Sequence, residues 1–158
     1  IRVFKTHFPY TNTLYTIKKM NEYFQLEPEV SGEFGEKTVL NKSTHPPKIE
    51  NLEFVFKGWL GDCLIECFPV FLITEKVAQT LTENKITGFS LKRSEVRKDY
   101  PFDELHPNLT LPKFVWIDIS GIAKKSDFGI ENNLLIVSRK ALEILKSEGL
   151  NHCDIEKI

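Results

Sequence analysis

Phe71-Leu-Ile-Thr-Glu-Lys-Val-Ala-Gln-Thr-Leu81 lines up without gaps on Leu135-Ile-Val-Ser-Arg-Lys-Ala-Leu-Glu-Ile-Leu145, at an offset of 64 residues. Each stretch begins with three apolar residues, continues with a hydroxyl residue (Thr74 or Ser138), and then carries apolar residues four positions apart. A hydroxyl at this point is typical of a helix N-cap, because its oxygen accepts a hydrogen bond from an otherwise unpaired backbone N–H. Both stretches therefore predict a strand that leads directly into a helix.

A short alternating strand is expected after each helix, at residues 86–91 and at residues 150–155. The predicted inward positions of these two strands are Phe89 and Leu91 in the first and Cys153 and Ile155 in the second. We therefore predict the α+β class: a single domain over residues 1–158, with two strand–helix–strand (βαβ-like) halves packing on one mixed sheet, or on two sheets that share a core. The halves are residues 51–93 and 113–158, and each of them is too small to be stable alone.

Three further segments have strand patterns. Apolar residues alternate with other residues over 52–57, which predicts a half-buried strand. Residues 68–73 are almost all apolar, which is typical of a strand covered on both faces. Residues 113–119 alternate as well, with Val115, Ile117 and Ile119 on one face. The first 50 residues are rich in Gly, Asn and Pro and are predicted to be loop-rich, with an opening strand at Ile1 and Val3.

Composition narrows the classes of partner. The chain has 158 residues, 41% of them hydrophobic and 27% charged, with a formal net charge of -1. A near-neutral chain has no overall attraction to nucleic acid or anionic lipid, so neither is a predicted partner. The longest nearly continuous apolar run, residues 67–73, is far shorter than the roughly 20 residues that cross a bilayer. Three cysteines and the absence of a secretory signal pattern favour a cytoplasmic protein without disulfides.

The cysteines and histidines do not form a convincing metal or catalytic motif. Cys63 and Cys67 have a spacing that suits zinc on a helix, but a structural site needs two more ligands. The adjacent residues His152, Cys153 and Asp154 invite a nucleophile interpretation, yet neighbouring strand residues point to opposite faces. We therefore predict buried free cysteines, no metal, no cofactor and no enzymatic activity. A small hydrolase that uses His152 and Asp154 is the alternative.

Two short motifs have both a structural and a functional interpretation. Asp127-Phe-Gly129 matches a magnesium-binding triplet of kinases, but the other kinase motifs are missing. A turn explains it, with Asp127 as a local cap and Gly129 at positive φ. In Gly58-Trp-Leu-Gly-Asp62, Asp62 is expected to cap a short helix over 63–67. Trp59 either plugs the edge of the core or is an exposed anchor for a partner.

Roughly two thirds of the chain, from Phe54 onward, resembles the immunity proteins of bacterial polymorphic toxin and contact-dependent inhibition systems. The segments that carry the resemblance are Gly58-Trp-Leu-Gly-Asp62, Phe71-Leu-Ile-Thr-Glu-Lys-Val77, the strand around Trp116, Asp127-Phe-Gly-Ile130, and Leu135-Ile-Val-Ser138 with Ala141-Leu142. The resemblance implies a stand-alone cytoplasmic protein that binds and inhibits a cognate toxin domain by tight, stoichiometric association. A regulatory interaction domain of a longer protein is a further alternative.

Nine residues are candidate contacts for a protein partner. They are large aromatics, carboxylates, and a basic cluster that is either a solvated face or a site for an acidic partner. The nine are Trp59, Asp62, Lys92, Arg93, Arg97, Lys98, Trp116, Asp118 and Asp127.

Overall fold

Strands dominate the computed structural model, which describes residues 21–158. The helices are α1 (Glu75–Glu83), α2 (Tyr100–Leu105) and α3 (Arg139–Glu148). The strands are β1 (Tyr23–Glu27), β2 (Gly32–Phe34), β3 (Val39–Asn41), β4 (Lys48–Asn51), β5 (Glu53–Phe56), β6 (Leu64–Cys67), β7 (Val70–Thr74), β8 (Phe89–Lys92), β9 (Glu95–Lys98), β10 (Phe114–Ile119), β11 (Phe128–Glu131), β12 (Leu134–Ser138) and β13 (Asp154–Lys157). The predicted α+β class is confirmed. The opening strand predicted at Ile1 and Val3 lies outside the described residues.

Two four-stranded sheets form most of the described fold. The β7 sheet has the strand order β6-β7-β10-β8, and the β12 sheet has the order β11-β12-β1-β13. Every neighbouring pair in both sheets is antiparallel, so one mixed sheet is the wrong alternative for these halves. Residues of both sheets share one hydrophobic cluster, which agrees with the alternative of two sheets that share a core. Parallel pairing occurs instead between β5 and β9, in the three-stranded β5 sheet of order β2-β5-β9. Strands β3 and β4 form a separate hairpin.

Equivalent elements follow one another in the two repeated stretches. Strands β6 and β7, helix α1 and strand β8 begin 64 or 65 residues before β11, β12, α3 and β13. Each of the two four-stranded sheets also contains one strand that comes from outside the repeated stretch that forms the rest of it. Strand β10, which precedes β11 in the chain, lies between β7 and β8, whereas β1 lies between β12 and β13. Strand β10 therefore links the second stretch to the sheet of the first, and β1, from outside both stretches, completes the sheet of the second.

The caps predicted at Thr74 and Ser138 are confirmed. The Thr74 hydroxyl accepts a hydrogen bond from the Val77 N–H at 3.4 Å, and the Ser138 hydroxyl accepts one from the Ala141 N–H at 3.2 Å. The apolar face of each helix is buried, and α1 and α3 pack against each other. The buried residues of both helices belong to the same hydrophobic cluster. Burial of this apolar face supplies most of the stability of a short helix, and the cap fixes where each helix begins.

The β7 sheet separates two hydrophobic clusters. One cluster contains helices α1 and α3, the β12 sheet and residues such as Ile117; the other contains helix α2, the β5 sheet and residues such as Trp116. Strand β7 is buried on both faces, as predicted, and β10 alternates between the clusters, as predicted. Strand β5 is buried along its whole length instead of half-buried: Glu53 and Val55, on its predicted outer face, are 4% and 5% exposed, and the Glu53 carboxylate is paired with Arg97 at 2.8 Å.

Two further expectations are wrong. Residues 63–67 do not form a helix, because β6 pairs with β7 there. Leu91 is not buried: it lies opposite Ile117 on the inward face, but it is 46% exposed because β8 is the edge strand of the β7 sheet. In addition, the loop-rich prediction for residues 1–50 missed β1, which pairs on both sides within the β12 sheet. Among the described residues, no helix is long and apolar enough to cross a membrane.

Candidate functional site: the Trp116 groove

A surface groove with a volume of about 370 Å³ opens beside β10. We call it the Trp116 groove. It lies where the β3–β4 hairpin and the β6–β7 turn approach the β8–β10 strand pair. The residues that matter for its chemistry are Pro46, Lys48, Phe68, Lys92, Trp116 and Asp118.

Strand register brings together the polar and aromatic residues of the groove. Lys92 on β8 lies directly opposite Trp116 on β10, and Asp118 follows two residues later on the same face of β10. The Lys92 Nζ is 2.8 Å from the Asp118 Oδ2 and 5.0 Å from the centroid of the Trp116 ring. This geometry combines an ion pair with a cation–π contact. Three of the nine predicted contact residues thus meet in one place.

Apolar side chains form the rest of the groove. Phe68 in the β6–β7 turn is 37% exposed, whereas Trp116 is 6% exposed and forms part of the floor. Pro46 in the β3–β4 hairpin and Lys48 at the start of β4 lie at the surface. The groove therefore has an apolar lining with charged groups at its rim, an arrangement that is common in protein sites that bind a ligand or a partner.

The predicted basic cluster is not a continuous patch of free positive charge. Lys92 is paired with Asp118, Arg97 with Glu53, and Lys98 with Asp103. Arg93 is exposed between β8 and β9. Since three of its four charges are neutralised locally, the cluster as a whole resembles a solvated face, and only Lys92 belongs to the groove.

Trp59 is half-buried and packs at the edge of the hydrophobic core. Its indole N–H donates to the Asp62 carbonyl at 2.8 Å, and its ring packs edge-to-face on Phe114 at 5.9 Å between centroids. The ring also lines a second, shallower depression, whose sides carry Val30 (73% exposed) and Leu60 (65% exposed). Both interpretations made from the sequence thus describe part of its environment.

Asp62 is fully buried and does not cap a helix. Its carboxylate accepts hydrogen bonds from the backbone N–H of Asn151 at 2.8 Å and of His152 at 2.7 Å, and its Oδ1 is 3.1 Å from the His152 Nδ1. The group therefore fixes the loop between α3 and β13. A partner on the surface cannot reach this carboxylate, so Asp62 is not retained among the contact residues.

Asp127 holds the corresponding loop of the other stretch. Its carboxylate accepts hydrogen bonds from the Thr87 N–H at 2.9 Å, the Thr87 hydroxyl at 3.0 Å and the Ser138 hydroxyl at 2.6 Å. Asp127 binds Thr87 in the loop between α1 and β8, and Asp62 binds Asn151 in the loop between α3 and β13. Thr87 and Asn151 are 64 residues apart, so these two loops are equivalent in the two stretches. The expected turn is displaced: Gly129 lies in β11 without positive φ, and the turn is formed by Asn132 and Asn133, both at positive φ.

Among residues 21–158, the cysteines and histidines do not assemble a nucleophile. Cys63 packs in one core cluster and Cys67 against the other, on opposite sides of the β7 sheet. Burial, together with the nearby Asp62, raises the pKa of Cys153 to about 12, so the thiol stays protonated at neutral pH. His152 contacts Asp62, which sequence reasoning did not foresee, because these residues are 90 positions apart.

Neither a metal site in the described residues nor a match to a family model or a curated protein assigns a function to the groove. In residues 21–158 no group of three or more His, Cys, Asp and Glu side chains is placed to hold a metal ion. No family model matches the chain, and no curated protein is significantly similar to it. The fold and the groove thus define the class: an α+β protein that carries an apolar surface groove with charged groups at its rim.

The environment of Asp127 leads to a prediction about pH. Partial burial opposes ionisation, but the hydrogen bonds from Ser138 and Thr87 outweigh it and lower the pKa of Asp127 below the usual 3.8. A carboxyl group with a lowered pKa contributes stability above its unfolded pKa, and this contribution is lost as the pH falls through the folded pKa. We expect Asp127→Asn to lower the free energy of unfolding at pH 7, and the deficit to shrink below about pH 4.

Urea titrations at pH 7 and pH 3 measure this effect. Asp154→Asn, at an exposed position of β13, is the control and should change little at either pH. A deficit for Asp127→Asn that is equally large at both pH values contradicts the assignment.

Proposed function

We propose that this chain is a toxin-neutralising immunity protein, which acts in the cytoplasm by binding a cognate toxin domain in the Trp116 groove. The observation that carries the proposal is the meeting of Lys92, Trp116 and Asp118 in one groove. These three residues were selected from the sequence as partner contacts, although they lie on strands that are not consecutive. The resemblance of the sequence to immunity proteins suggests that this partner is a toxin domain.

The groove has the physical properties of an interface centre. Binding energy in protein complexes concentrates in a few aromatic and charged residues around a pocket from which water is excluded. The Lys92–Asp118 pair and the Trp116 ring already hold one another in place, and they are mounted on paired strands. Because less side-chain freedom remains to be lost on association, a preorganised groove favours tight binding.

Neutralisation requires stoichiometric binding and no turnover by the immunity protein. The first test is co-expression of the chain with the toxin domain encoded next to its gene, followed by purification. We expect growth to be rescued and a one-to-one complex to co-purify. Toxicity that persists alongside folded protein, with no complex, contradicts the proposal for that pair.

Phe68→Ala is the variant that connects neutralisation to the groove. Phe68 is 37% exposed, so its removal should leave the fold intact while it takes an aromatic wall from the groove. We expect the affinity for the toxin to fall about tenfold or more, equivalent to at least about 1.4 kcal/mol. Isothermal titration calorimetry measures the change.

Tyr100→Ala is the matched control for this experiment. Tyr100 is also an aromatic residue, 81% exposed at the start of α2, and it does not line the groove. Its removal should leave the affinity unchanged. If Tyr100→Ala weakens binding and Phe68→Ala does not, the toxin binds elsewhere on the chain.

A further inference from the structure

We infer that the Trp116 groove receives an acidic segment of its protein partner: an apolar side chain enters beside Phe68, and a neighbouring carboxylate binds Lys48 and Lys92. This inference rests on the proposed function and adds the chemistry of the partner. It follows from the volume, the lining and the charges of the groove.

The groove has space for an inserted side chain. Its volume of about 370 Å³ falls within the range of roughly 300–1,000 Å³ that is typical of sites for small ligands. Phe68 and Pro46 offer apolar surface at the opening, and Trp116 lies at the floor. An apolar side chain that enters would displace water from this surface, which is the main source of favourable free energy at such contacts.

The charged side chains at the rim of the groove favour a partner segment that is negatively charged. Lys92 is largely compensated by Asp118, to which it is paired at 2.8 Å. Lys48 is exposed and forms no ion pair with any residue in the range 21–158. Two ammonium groups against one carboxylate leave one net positive charge at the groove. A carboxylate of the partner finds a complement here, whereas a basic group meets two like charges and an acid that is already paired.

A phosphate would satisfy the same charge, but the surroundings do not favour nucleic acid. Binding to nucleic acid draws on many lysine and arginine contacts along a broad basic surface. Here the neighbouring basic residues Arg97 and Lys98 are neutralised by carboxylates, and the chain carries a formal net charge of -1. We therefore assign the groove to an acidic protein segment.

Charge reversal at Lys48 tests the inference. Surface plasmon resonance with the toxin domain encoded next to the gene measures association at 50 mM and 300 mM NaCl. We expect Lys48→Glu to slow association about tenfold or more at low salt, with a smaller difference at high salt, because rim charges act mainly on the association rate and are screened by salt. Lys48→Met, which removes the charge and keeps a long side chain, should give an intermediate rate.

Lys113→Glu is the matched control. Lys113 is an exposed lysine just before β10, outside the groove and 3.4 Å from Glu75, and its reversal should leave the association rate close to that of the wild type. Thermal unfolding should show that all three variants are folded. A fluorescent single-stranded oligonucleotide, tested against the wild type, should not bind.

The outcomes separate the two proposals. Wild-type protein that binds the toxin, together with Lys48→Glu that binds equally fast, overturns the acidic segment and leaves neutralisation intact. Faster association of Lys48→Glu means a basic partner segment and overturns the inference as well. Binding of the oligonucleotide that Lys48→Glu abolishes assigns the charge to nucleic acid instead. Wild-type protein that binds no toxin overturns the proposed function itself.

Discussion

Replacing Asp62 with alanine is expected to lower the free energy of unfolding by about 2–4 kcal/mol. The carboxylate is fully buried and accepts hydrogen bonds from the backbone of Asn151 and His152. Its removal leaves these N–H groups without an acceptor, and each such group costs roughly 1–3 kcal/mol where water cannot replace the acceptor. Since a domain of this size is stable by only about 5–15 kcal/mol, the loss should be obvious in urea unfolding.

Asp127→Ala is the matched comparison for Asp62→Ala. Asp127 holds the equivalent loop with three hydrogen bonds, but it is only half-buried, so water can replace part of what is lost. We expect Asp127→Ala to be the milder variant. If it destabilises the protein as much as Asp62→Ala, burial of the carboxylate is not what makes Asp62 important.

Gly88→Ala is expected to lower the free energy of unfolding at least as much as Asp62→Ala does. Gly88 has a φ of 94°, and an added Cβ would lie 2.1 Å from the carbonyl oxygen of Phe128. Backbone from three segments meets here, since the Gly88 carbonyl accepts hydrogen bonds from the N–H groups of Ser120 and Gly121, both at 2.9 Å. A side chain would force this close approach apart, because the atoms it meets are backbone and cannot rotate away.

Gly61→Ala separates the two causes of that effect. Gly61 has a φ of 110°, similar to that of Gly88, but nothing lies within 4 Å of its added Cβ. This variant therefore reports the cost of the backbone conformation alone, about 1–3 kcal/mol. Thermal and urea unfolding of both variants should show a larger loss for Gly88→Ala. Equal losses would mean that the close approach at Gly88 relaxes without cost.

Local signals in the sequence were sufficient for several elements. A hydroxyl at Thr74 or Ser138, followed by apolar residues four positions apart, depends only on contacts within one helical turn. The alternation over β10 likewise reflects the period of a single strand, so its two faces were predicted correctly. The 64-residue offset found by comparing these local patterns also holds for the elements around them.

Other expectations failed where a distant contact overrides the local pattern. Residues 63–67 have an acid followed by a spacing that suits a helix, yet β6 pairs with β7 and Asp62 is used by a loop about 90 residues away. Strand β1 has a weak pattern of its own and was overlooked. It is strongly specified by its neighbours, because it pairs with both β12 and β13.

The candidate site shows the same division. Residue types pointed to Lys92, Trp116 and Asp118 as partner contacts, because large aromatics and charged side chains commonly carry binding energy. Their meeting in one groove depends on the register between β8 and β10, and Phe68 and Lys48 join them only through the packing of separate turns. The sequence by itself determined the caps at Thr74 and Ser138, the two repeated helices and the alternation of β10, since these depend on neighbours within a few residues. Tertiary structure alone decided the places of β1 and β10 in their sheets, the burial of Asp62 and the shape of the groove, because these arise from contacts between residues far apart in the chain.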